Sequence, residues 1–171
     1  MRKIGWLLGL ALCAAGTAQA QSTQSPATEL FVGPSLMRNG FTAPSFSLYG
    51  GWQVQASYNF SSHFGMTADF GGHYRSISGT RVSEYEYLFG PRVKASMRNA
   101  TLFAHGLVGA HTFRVAGQSF NGFAGGVGGG LDYDVSRHFS VRVIQADYLR
   151  VRVSNAWFHD ARLSVGIVFK F

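Results

Sequence analysis

Apolar residues alternate one for one with small or polar residues along much of this chain, most plainly in its last eleven, Ala161 to Phe171. Ala161, Leu163, Val165, Ile167, Phe169 and Phe171 share one face; Arg162, Ser164, Gly166, Val168 and Lys170 share the other. A period of two marks a strand whose faces meet different environments. The same pattern runs through 51–60, where Trp52, Val54, Ala56, Tyr58 and Phe60 oppose Gln53, Gln55, Ser57 and Asn59. It recurs at 64–75, 84–94 and 123–133. Strands are also predicted at 30–37 and 101–115, with the phase of both left open, and at 139–153. In that last stretch Val141 and Val143 share a face with Gln145 and Asp147, so the pattern slips near Ile144 and predicts a bulge. Pro91 cannot donate to a ladder, and in a sheet without edges it predicts a second bulge.

Eight strands result. Short turns (61–63, around 96–100, 135–138) alternate with longer loops (38–47, 76–83, 116–121, 154–159). An even strand number with this alternation describes an outer-membrane barrel with both termini in the periplasm. No stretch after residue 20 is a long apolar run. In hydrocarbon every backbone N–H and C=O must be paired within the protein, so strands cross only as a closed barrel. The expected fold is all-β: an eight-stranded antiparallel up-and-down transmembrane β-barrel over 29–171, behind a signal peptide (1–20) and a flexible lead-in (21–28).

Composition sharpens this. Only 13% of residues are charged, about half the share of an ordinary soluble domain. Aromatics sit near strand ends with smaller apolar residues between, as in a lipid-facing band with aromatic girdles. Eight strands enclose an interior just filled by side chains. The polar face would place Gln53, Gln55, Asp69, His73, Arg75, Glu84, Glu86, Arg92, Lys94, Asp132, Arg162 and Lys170 there. Both signs occur, so a network of ion pairs filling the lumen is expected rather than an open pore. The rival is a soluble periplasmic lipocalin-like barrel binding a small apolar ligand. It requires a charged outer face, whereas the polar face here is rich in Gly, Ser, Ala and Gln, and it ranks behind.

Arg2 and Lys3, an apolar run over 4–15, and Ala18 and Ala20 in A-x-A positions define a secretory signal peptide cut between Ala20 and Gln21. The single cysteine, Cys13, lies inside it, so no disulfide is expected in the mature chain. The net charge of +7 falls to +5 without Arg2 and Lys3 (7 − 2). Basic residues are scattered singly, which argues against nucleic acid and for anionic lipid headgroups, lipopolysaccharide among them.

The strand pattern over 28–171 resembles the OmpA/OmpX-like family of small outer-membrane barrels. The most specific part is the ending: Ser164, Gly166, Phe169 and Phe171 are similar to the terminal signal read by the outer-membrane assembly machinery. The resemblance implies an outer-membrane location, that machinery as a biogenesis partner, and a monomer. No counterpart of the peptidoglycan-binding domain of full-length OmpA is seen, so cell-wall anchoring through one is not expected.

Two functions compete. The first is a non-catalytic barrel for envelope integrity, surface adhesion or interaction. The second is a lipid A-modifying enzyme, suggested by His138-Phe139-Ser140, a match to the His-x-Ser of lipid A deacylases. That motif falls at a periplasmic turn with no identifiable acidic partner, so no catalytic residue is assigned. The glycine run at 125–130 lacks a following helix and is no nucleotide fingerprint. His63, His105, His111 and His159 show no metal-ligand spacing. Neither cofactor nor metal is expected.

Overall fold

The computed structural model describes residues 28–38, 48–77, 79–153 and 156–171. The signal peptide, the Ala20–Gln21 cut, lead-in residues 21–27 and loop residues 39–47 lie outside the described residues. The described residues form eight strands: β1 (Thr28–Arg38), β2 (Leu48–Asn59), β3 (Phe64–Ile77), β4 (Thr80–Ser96), β5 (Ala100–Val115), β6 (Gln118–Asp134), β7 (Phe139–Val153) and β8 (Ala156–Lys170). Each pairs antiparallel with its sequence neighbour, and β8 returns to β1 to close the barrel. Thr28, at the edge of the expected lead-in, is already paired with Tyr58.

The alternation has the expected sense. Val32, Trp52, Phe70, Phe89, Val108, Val127, Leu163 and Ile167 point outward and are exposed, while polar side chains are buried inside. A soluble barrel would be built the other way round. β1 turns Glu29, Phe31, Ser35 and Met37 inward, and β5 turns Thr101, Phe103, His105, Leu107, His111 and Phe113 inward, which resolves the two open phases.

The bulge near Ile144 is present. Register shifts between Leu131 and Asp132 on the β6 side and between Arg142 and Gln145 on the β8 side, and Val143 and Ile144 both face out. Arg142 before it and Gln145 and Asp147 after it therefore all point inward.

The bulge expected at Pro91 is absent. Pro91 stands opposite Met66, and the β4–β5 register is the same before it (Phe89 with Val108) and after it (Arg92 with His105). That register sets Gly106 across from Pro91. One missing donor removes a single ladder hydrogen bond and needs no extra residue.

The longer loops expected at 76–83, 116–121 and 154–159 are mostly strand. β3 runs to Ile77 and β4 starts at Thr80; β5 and β6 are joined by Ala116–Gly117; β8 already starts at Ala156. Ala116 (φ 49°) and Gly117 (φ 82°) both have positive φ, as in a type I′ hairpin turn. Strands of 14–17 residues exceed the roughly 9–11 that cross a bilayer. They stand out beyond the membrane at the end away from the termini. There the outward face carries Arg81, Arg114, Arg150 and Arg152 in place of an apolar run, the contrast between faces fades, and strand reads as loop.

Candidate functional site: the lumen and the arginine rim

The barrel interior is a stack of side chains. Nearest the termini, Glu29 accepts from Arg92 Nη1 (2.6 Å), Lys94 Nζ (2.8 Å) and Asn59 Nδ2 (2.9 Å). Arg142 donates to Asp132 through Nε (2.7 Å) and Nη2 (3.0 Å), and to Gln55 and Gln145 through Nη1. Its guanidinium lies 4.3 Å from the Phe31 ring and 4.2 Å from that of Phe103, so aromatic faces complete its surroundings. Lys170 Nζ, only half-buried, donates to Asp134 at 2.5 Å.

At mid-height Arg162 is the hub. Nη1 lies 2.9 Å from Asp69, Nη2 2.8 Å from Asp147, and Nη1 3.7 Å from Glu86. Gln53 and Gln55 donate to the other Asp69 oxygen, and Gln145 and His105 hydrogen-bond Asp147. His73 hydrogen-bonds Ser35, which accepts from Ser164. Toward the far end His73, Glu84, Glu86 and His111 converge beneath an apolar layer of Met37, Tyr49, Val82, Phe113 and Val151.

Eleven of the twelve lumen residues expected from sequence lie in this packing; Arg75 instead sits half-buried at the far rim, hydrogen-bonded to the Leu48 carbonyl and 5.9 Å from the Tyr49 ring. Sequence reasoning missed Glu29, His105, His111, Arg142, Gln145, Asp147 and Asp160. The bulge hid the β7 residues and the open phases hid those on β1 and β5. One signal was available: carboxylates avoid lipid, so their faces mark the lumen. Glu29, Asp69, Glu84, Glu86, Asp132, Asp147 and Asp160 are all buried and Asp134 is half-buried, which accounts for all eight acidic residues of the chain.

Among the described residues, the charged side chains that face outward are all cationic. Arg38, Arg81, Arg114, Arg150 and Arg152 face outward at the end away from the termini. They sit by the aromatic girdle: Arg114 is 5.5 Å from the Tyr85 ring, and Arg150 and Arg152 are 4.9 and 5.7 Å from that of Trp157.

At the closing seam Ser164 points inward, and Phe169 and Phe171 point out. The register between Val32–Ile167 and Ser35–Ser164 sets Gly33 opposite Gly166. Their backbones approach closely, so Gly166 has a steric reason as well as any recognition role. The His138–Ser140 pair forms no dyad: Ser140 Oγ is buried and donates to Asp134 at 2.7 Å, whereas His138 is exposed in the turn.

A closed eight-stranded barrel with every carboxylate inside and an apolar girdle outside defines a transmembrane barrel protein of the outer membrane. The sequence matches the outer membrane protein beta-barrel domain over residues 7–169, and the chain belongs to that family. No curated protein is significantly similar in sequence. Among solved structures, Ail, the attachment invasion locus protein of Yersinia pestis, superposes with TM-score 0.63 at 17% identity, covering 86% of this chain and 100% of that one. Neisserial surface protein A gives 0.64 at 15%, covering 85% and 97%. OprG of Pseudomonas aeruginosa gives 0.61 at 11%, covering 86% and 97%. At these identities the likeness is one of fold.

Proposed function

We propose that this protein is a non-catalytic, side-chain-plugged barrel that supports envelope integrity by binding the phosphates of lipopolysaccharide around its outer girdle. The observation that carries this is the separation of charge: all carboxylates inside, and five outward arginines beyond the girdle at one end. With the termini periplasmic, that end lies in the outer leaflet. Arg pairs with phosphate bidentately, and no outward carboxylate competes among the described residues. An exposed rim that binds phosphates can also take anionic surface polysaccharide, the adhesion reading.

The test is titration of the micelle-embedded protein with lipopolysaccharide. Replacing Arg114, Arg150 and Arg152 together with Gln is expected to weaken binding about tenfold or more, since each charge-assisted contact contributes roughly 1 kcal/mol or above. Dephosphorylated lipopolysaccharide should bind wild type and variant alike. Equal affinity of wild type and variant for the phosphorylated form defeats the proposal. The plug has its own check. In planar bilayers the protein should pass no steady current, and large steady currents contradict it.

A further inference from the structure

We propose that the lumen holds a divalent transition-metal site of the zinc class, formed by the carboxylates of Glu84 and Glu86 on β4 and the imidazole of His111 on β5. Glu84 and Glu86 are two apart on one strand and so share the inner face. His111 is the cross-strand partner of Glu86. One ligand atom from each of the three lies within 4.8 Å of the others, and all three residues are buried. His111 Nε2 and Glu84 Oε2 are 3.9 Å apart. Bonds of about 2.0–2.2 Å to a tetrahedral ion bring neighbouring ligand atoms to roughly 3.3–3.5 Å. Small side-chain rotations close that gap.

Two further observations point to a bound cation. His111 is only 3% exposed and neither of its ring nitrogens makes a hydrogen bond, with Nε2 turned toward Glu84. Buried imidazole nitrogens are normally satisfied. Glu86 is fully buried and neither of its oxygens has a hydrogen bond; its neighbours are His73 Nδ1 at 3.3 Å and Arg162 at 3.7 Å. That guanidinium is already closer to Asp69 and Asp147. One fixed positive charge thus serves three carboxylates, and a divalent ion supplies the missing charge. Space for the Glu86 carboxylate comes from Gly71, its partner on β3: a Cβ there would stand 2.2 Å from Glu86 Oε2. One imidazole with carboxylate oxygens suits zinc and its first-row neighbours better than magnesium or calcium, which take oxygen alone.

The test uses tag-free protein refolded in lipopolysaccharide-free micelles. Zn2+ is titrated by calorimetry, and Co2+ is followed by its visible absorption. One equivalent should bind, with Co2+ showing the intense bands of a low-coordinate site and excess Mg2+ failing to displace it. His111→Gln and Glu86→Gln should each weaken binding at least tenfold, and His63→Ala, in an exposed turn, should leave it unchanged. Imidazole NMR signals of wild-type His111 should shift on Zn2+ addition, a readout that needs no variant to fold. No stoichiometric binding by the folded wild type, or metal binding that leaves the His111 signals in place, overturns the proposal.

Discussion

Arg162→Ala is expected to lower the stability of the folded barrel by about 3–5 kcal/mol, the usual cost of removing one partner from a buried ion pair. The side chain is 0% exposed and touches Asp69, Asp147 and Glu86 at once. Alanine would leave three carboxylates in a closed lumen without their shared cation. Arg162→Lys should fall between, because an ammonium is a point charge and cannot reach two carboxylates in the fork geometry that Nε, Nη1 and Nη2 supply. Urea unfolding in micelles, followed by tryptophan fluorescence, measures this. Adding Asp147→Asn to Arg162→Ala should recover part of the loss, because the two sites share one interaction. A change within about 0.5 kcal/mol for Arg162→Ala, the scale of an ordinary surface substitution, would remove Arg162 from the centre of the lumen.

The second large effect lies at the seam. A Cβ on Gly166 would stand 2.3 Å from the Val32 carbonyl oxygen and 2.7 Å from Gly33 Cα. Both are backbone atoms of the strand that closes the barrel, so neither can swing aside as a side chain would. Gly166→Ala should cost about 3 kcal/mol, the upper part of the overpacking range, or prevent closure. Gly50→Ala and Gly106→Ala add a Cβ with nothing within 4 Å and should be nearly silent. Refolding the purified chain into micelles takes the assembly machinery out of the comparison. If Gly166→Ala then closes and unfolds like wild type, the residue matters only for recognition and the steric account fails.

Much of the outline is legible residue by residue because side-chain direction in a strand is a local property. Trp52 to Phe60 and Leu163 to Phe171 announce their outward faces without reference to any partner. The slip at Val143–Ile144 is legible for the same reason: two outward apolar residues in succession break the period. Pro91 misleads because its consequence depends on the ladder it sits in: the β4–β5 register runs unshifted from Phe89–Val108 to Arg92–His105, which the residues of β4 alone do not show. Residues 118–121 read as loop because the alternation of apolar and polar residues fades there, although they pair with β5 right up to the Ala116–Gly117 turn.

By itself the sequence determined that strands alternate in period two, that they number eight, that they must close, and that the apolar face meets lipid. Each follows from the direction of successive side chains and from the need to pair backbone groups in hydrocarbon. Only the tertiary structure decided which buried groups meet: Arg162 with Asp69 on β3 and Asp147 on β7, Glu29 with Arg92, and His111 beside Glu86. Such meetings depend on register between strands and on the curvature that brings distant strands face to face across the lumen, and neither is written in the spacing along one strand.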